Sequence, residues 1–155
     1  MNWWTNATSQ AFEDKTKCFV DQYNKYTIKG PKNENVNVNG EMTLPENLAD
    51  NAGIKMAFRS WQSRFQSDPK GNKVANFKLP GLDKYTPEQL FFISYGRLWC
   101  TKMTPESLVD LVNHNNHSPP QWRINGAAQN SPDFAKAFKC KASAPMNPNK
   151  KCEVW

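Results

Sequence analysis

Apolar side chains recur at threes and fours along much of this chain, the spacing that lines one face of a helix. Phe12, Phe19, Tyr23 and Tyr26 give residues 10–26 such a stripe. Between 44 and 66, Leu44, Leu48, Ile54, Phe58, Trp61 and Phe65 give the strongest helical signal. Thr43 fits its N-cap, with Glu46 three residues on as in a capping box. The turn sequence Asp68-Pro69-Lys70-Gly71 is expected to end it. Residues 29–41, rich in Asn, Lys and Gly, read as a loop. Val36 and Val38 alternate with Asn there and allow a short strand.

Three further starts share one design. Thr86-Pro87-Glu88-Gln89, Thr104-Pro105-Glu106-Ser107 and Ser131-Pro132-Asp133-Phe134 each place a hydroxyl before a proline. Proline at the first helical position loses no hydrogen bond, because the N–H there has no partner within the helix. The acids that follow favour the positive end of the helix dipole. The first opens an apolar run from Leu90 to Cys100, and the last sets Phe134 and Phe138 four apart. No repeat or domain-scale linker interrupts the pattern. The expectation is one mainly α domain with at most short strands.

Composition fills in what covers that frame. Six Trp and nine Phe in 155 residues mean that aromatic rings supply much of the core. The net charge of +6 is dispersed, with its tightest group at Lys136, Lys139 and Lys141. It reads as a solvated surface rather than a nucleic-acid or membrane footprint. Cysteines at 18, 100, 140 and 152 form no C-x-x-C pair and suggest structural disulfides in an oxidising compartment. The sequons Asn6-Ala7-Thr8 and Asn116-His117-Ser118 agree weakly with export. The start, Met1 to Thr5, lacks the basic and apolar stretches of a signal peptide. Secreted-type cysteines without an export signal lead to the expectation of a longer protein whose N-terminal part lies outside this sequence.

The candidate chemistry lies in Glu46-Asn47-Leu48-Ala49-Asp50. Carboxylates at i and i+4 share a helix face and repel mildly. A cation opposite them would relieve this. Glu46 could ligate a metal, and Asp50 could orient a metal-bound His through its second ring nitrogen. Taken alone, the spacing reads more readily as two solvated acids.

The surrounding residues change that weighting. Leu44-Pro45-Glu46-Asn47-Leu48-Ala49-Asp50-Asn51-Ala52-Gly53 resembles the zinc-ligand helix of the neprilysin and endothelin-converting-enzyme family of metallopeptidases. Asn2-Trp3-Trp4-Thr5, Asn39-Gly40, Leu79-Pro80-Gly81-Leu82, Glu88-Gln89-Leu90-Phe91-Phe92 and Leu98-Trp99-Cys100 match in order. So do His117-Ser118-Pro119, Arg123-Ile124-Asn125-Gly126, Pro145-Met146-Asn147-Pro148 and Lys151-Cys152-Glu153-Val154-Trp155. Two departures are Pro45 and Ala52, where the family has Gly; neither removes a functional group.

The resemblance implies that residues 1–155 are the helical C-terminal part of a zincin-type catalytic domain. It implies Glu46 as a zinc ligand and Asp50 as support for a zinc-bound His. His117 would donate to the oxyanion, Arg123 would hold the substrate carbonyl, and Leu98 and Trp99 would line a hydrophobic pocket. It also implies a Cys18–Cys152 disulfide. Cys100 and Cys140 would pair with an absent N-terminal part. The implied activity is hydrolysis of extracellular peptides on the amino side of hydrophobic residues, by a secreted protein or a membrane-anchored ectodomain.

The family's H-E-x-x-H, which brings two zinc ligands and the general base, has no counterpart here. The only histidines are His114 and His117. A catalytic zinc takes three protein ligands, so the chain alone is expected to be inactive. The family's substrate-binding Asn-Ala strand is also missing. An alternative His114–His117–Glu46 metal group is disfavoured by the loop-forming Asn115, Asn116, Pro119 and Pro120. The alternative to an enzyme part is a truncated, secreted peptide- or protein-binding module.

Overall fold

The computed structural model describes residues 3–67 and 79–154. The expected turn at 68–71, Asn2, Trp155 and the side chain of Phe65 lie outside the described residues. Among those described are six α-helices and one two-stranded sheet, the mainly α architecture expected.

Helix α1 (Asn6–Tyr23) starts at Thr5, whose hydroxyl accepts from the Thr8 N–H at 3.1 Å. It ends short of Tyr26, which turns into the hairpin of β1 (Thr27–Lys29) and β2 (Asn35–Asn37). The strands are antiparallel, with Ile28 opposite Val36. Helix α2 (Leu44–Ser67) is the central element. Helices α3 (Pro87–Leu98), α4 (Pro105–His114), α5 (Pro120–Asn130) and α6 (Pro132–Ala137) follow.

The three hydroxyl–proline starts cap as expected. Thr86 accepts from Gln89 at 3.2 Å within a full capping box, Thr104 from Ser107 at 3.3 Å, and Ser131 from Phe134 at 3.1 Å. Thr43 behaves differently. Its hydroxyl donates to the Asn39 carbonyl and accepts from the Asn47 amide, both at 2.8 Å. The expected box with Glu46 is replaced because this end of α2 is buried and its polar groups bond inward.

Helix α5 carries no apolar stripe in sequence, and Asn125 and Gly126 are weak helix formers. It exists through packing. Gly126, Ala127 and Ala128 are buried, and a Cβ on Gly126 would collide with the Tyr23 hydroxyl. Small residues thus let α5 lie close to α2 and to the tip of α1. Trp122 stacks on Tyr26 with ring centroids 4.1 Å apart and donates from its indole to the Thr27 carbonyl at 3.0 Å.

Two apolar clusters flank α2. One joins Phe19, Tyr23 and Leu48 to Cys152 and Val154. The other joins Ile54, Phe58, Phe92 and Ala127, with Trp61, Phe91, Tyr95, Phe134 and Phe138 against them. Its Phe58–Phe92, Phe92–Phe134 and Phe134–Phe138 centroid separations are 5.0, 5.4 and 4.8 Å. Each such pair contributes about 0.5–1.5 kcal/mol beyond area burial.

The C-terminal segment returns over the first cluster. A Cys18–Cys152 disulfide ties it to α1 across 134 residues. Lys15 donates to the Val154 carbonyl at 2.7 Å, Lys55 pairs with Glu153, and the Cys152 N–H donates to Asn130 Oδ1 at 3.0 Å. No helix among the described residues is long and apolar enough to cross a membrane.

Candidate functional site

Glu46 lies in the first turn of α2, and Asp50 lies one turn later on the same face. The segment from Asn115 through the first turn of α5 crosses opposite them. His117 Nε2 lies 3.0 Å from Glu46 Oε2. Arg123 donates from Nε to Asp50 Oδ2 and from Nη2 to Oδ1, both at 2.7 Å. The cation that faces Asp50 therefore comes from this chain, and the His117 ring lies against Glu46.

The two pairs differ in environment. Asp50 and Arg123 side chains are 9% and 12% exposed, against 31% and 41% for Glu46 and His117. Bidentate, charge-assisted and mostly dry, the first pair is structural in strength. The bond from Asp50, more than anything else, pushes the Arg123 guanidinium still higher in pKa, and burial opposes it. Trp99 covers the guanidinium face at 3.8 Å, a cation–π contact, and the Tyr95 hydroxyl donates to the Arg123 carbonyl at 3.1 Å. Burial first, then the Asp50 charge, pushes the Tyr95 phenol up, which keeps it a donor. With Nε and Nη2 engaged, the Nη1 end of the fork is left for a further acceptor.

His117 is held from its other side. Asn115 Oδ1 accepts from both the His117 backbone N–H and the ring Nδ1, each at 2.9 Å.

The other candidates fall around or away from this cluster. Leu98 ends α3 and stands 73% exposed. His114 is far out on α4, its Nδ1 3.0 Å from Asp110 Oδ1 and its side chain 74% exposed. It does not join His117 and Glu46. Among the described residues no three of His, Cys, Asp and Glu group to hold a metal ion. Against the three protein ligands of a catalytic zinc, this donor set offers one carboxylate and does not by itself fit the metal. Cys100 and Cys140 are free thiols, exposed and half-buried respectively. Asn6 and Asn116 are both exposed. A cavity of about 150 Å³ lies elsewhere, between α1, α2, α5 and the C-terminal segment, lined by Phe19, Leu48, Lys55, Lys151 and Cys152.

Sequence reasoning missed Tyr95 as a site neighbour and Trp99 as the lid of Arg123. Tyr95 lies in the last turn of α3 and Trp99 is its C-cap, four residues on, and that spacing is the signal in the sequence. Asn115, a loop former by its sequence, also holds His117 through its side-chain oxygen.

The helical frame sets two carboxylates of one helix against a histidine and an arginine. The chain matches the model of Peptidase family M13 over residues 1–154 and belongs to that family, whose members include zinc metalloproteases. It is 42% identical over 154 residues to Neprilysin-1 of Caenorhabditis elegans, covering 99% of this chain and 20% of that protein. It is 40% identical over 153 residues to Endothelin-converting enzyme 1 of Rattus norvegicus, covering 99% of this chain and 19% of that protein. Among solved structures, the Haemonchus galactose-containing glycoprotein complex superposes with a TM-score of 0.84 at 36% identity, over 96% of this chain and 24% of that one. The Mycobacterium tuberculosis zinc metalloprotease Zmp1 in its open state gives 0.84 at 26% identity, over 100% of this chain and 23% of that one. The chain thus spans about a fifth of the length of the curated relatives it matches.

Proposed function

We infer that residues 1–155 form the C-terminal part of the catalytic domain of a zinc-dependent metalloendopeptidase. The observation that carries this reading is the facing of Glu46 and Asp50 by His117 and Arg123 at 2.7–3.0 Å, within a chain of this family. The substrates are extracellular peptides cut on the amino side of hydrophobic residues. The enzyme is a secreted protein or an ectodomain.

Glu46 is one zinc ligand, and the other two come from an H-E-x-x-H segment outside this sequence. Zinc held by these ligands together would supply Lewis-acid chemistry and an activated water. Asp50 anchors Arg123 and supports one of the histidine ligands. Arg123 offers its Nη1 end to a substrate carbonyl. His117, partly exposed on its loop, donates to the oxyanion of the tetrahedral adduct, a role worth about 3–4 kcal/mol of barrier. Leu98 and Trp99 border the pocket for the residue after the scissile bond. Cys100 and Cys140 are the attachment points for the rest of the domain.

By itself the chain does not hydrolyse peptides, since it brings one ligand and no general base. A non-catalytic peptide- or protein-binding module is the second reading, favoured by that same single ligand. The test is peptide cleavage by the purified chain, with zinc content and chelator sensitivity measured together. No cleavage and no stoichiometric zinc are expected. Chelator-sensitive cleavage with one bound zinc would overturn the inactive reading.

A further inference from the structure

The Glu46–His117 contact joins two partly exposed side chains, and water competes for it. One residue along from each partner lies a different kind of bond. The Ser118 hydroxyl donates to Asn47 Oδ1 at 2.7 Å, and both side chains are 1% exposed. Asn47 Nδ2 donates to the Thr43 hydroxyl at 2.8 Å, and that hydroxyl donates to the Asn39 carbonyl at 2.8 Å. Thr43 is 2% exposed. Two buried hydrogen bonds and a third, part-buried one thus run in one direction from the His117 loop, across the start of α2, to the backbone before it.

The residue types follow from this direction. Position 47 must accept from Ser118 and donate to Thr43, whose own proton is already committed to Asn39. A carboxylate could accept but not donate, and a leucine could do neither. The Asn47 carbonyl also accepts from Asn51 Nδ2 at 2.7 Å, so the amide-bearing turn is held at both ends. Leaving one buried member of such a chain without its partner costs about 1–3 kcal/mol.

We propose that Asn47 and Ser118 are positioning residues that fix His117 beside Glu46 through their buried hydrogen bond. This role in catalysis rests on the function proposed above, but the positioning itself is a property of the chain. The direct His117–Glu46 contact is a consequence of this register, and the exposed Asn115 contact sets only the local orientation of the ring.

The test is long-range proton–nitrogen NMR of the two histidine rings in the 155-residue chain, with His114 as internal reference. Ser118→Ala removes the donor; Ser118→Thr keeps it and adds a buried methyl. The His117 ring signals and their contacts to the Glu46 side chain are expected to be lost or shifted in the alanine variant. They are expected to persist in the threonine variant, with His114 unchanged in both. Unchanged His117 signals in Ser118→Ala would overturn the proposal. So would His117 displacement that follows the stability lost rather than the presence of the hydroxyl. If the alanine variant does not fold, Ser118→Cys, close in shape and a weak donor, replaces it with the same expected shift. The enzymatic reading fails separately, when His117→Ala leaves peptide hydrolysis by a complete polypeptide carrying H-E-x-x-H unchanged.

Discussion

Arg123 meets Asp50 fork to carboxylate, each of two nitrogens 2.7 Å from its own oxygen, across 73 residues of chain. Breaking one side of a mostly buried pair strands the other charge, which costs about 3–5 kcal/mol. Asp50→Ala is therefore expected to lower the urea midpoint sharply. Asp50→Asn, which keeps one acceptor, should lose less. Equal stability of wild type and Asp50→Ala in equilibrium unfolding would contradict this account of the pair.

Gly126→Ala is a second probe, because the added Cβ meets the hydroxyl of a tyrosine that is 0% exposed and cannot swing away. Overpacking of this kind costs about 1–3 kcal/mol, although alanine is the better helix former. A thermal melt should show a lowered midpoint. The double variant Gly126→Ala, Tyr23→Phe should recover part of it.

The Cys18–Cys152 bridge closes a loop over a sequence separation of 134. The chain-entropy model assigns such a loop about 4–5 kcal/mol. Reduction, or the double replacement by Ser, is expected to destabilise by several degrees or more in a melt. Thiol titration of the denatured, unreduced chain should count two thiols, those of Cys100 and Cys140. A count of none would mean a different pairing.

Alkali gives a fourth test. Burial raises the phenols of Tyr23, Tyr26 and Tyr95, with Tyr26 pushed up to about 12 from 10.0. A folded pKa above the unfolded one means that this stability is complete below pH 10. It is lost as pH rises through about 12. Phenolate absorbance should therefore develop late for these three, together with loss of ellipticity. Full ionisation of all tyrosines near pH 10 with the fold intact would contradict their burial.

The sequence carried the helix starts at Thr86, Thr104 and Ser131, because a cap depends only on a hydroxyl and an N–H three residues away. It carried the long α2 through its stripe of Leu48, Ile54 and Phe58, and the short β2 around Val36. It did not show α5, whose Gly126 and Ala127 favour a helix only once α2 and Tyr23 are beside them. Nor did it show that Thr43 would turn away from Glu46, since that depends on the Asn39 carbonyl and Asn47 amide closing around it.

For the site, the sequence by itself determined the shared face of Glu46 and Asp50, which follows from helical pitch. Its likeness to a peptidase family singled out His117 and Arg123. Only the tertiary structure decided who faces whom: Glu46 with His117, Asp50 with Arg123, Trp99 over the guanidinium, and Asn47 bonded to Ser118 behind them. The reason is one of range. Capping and pitch are set within a turn, whereas these contacts join residues up to 73 apart and arise from how α2, α3 and α5 dock.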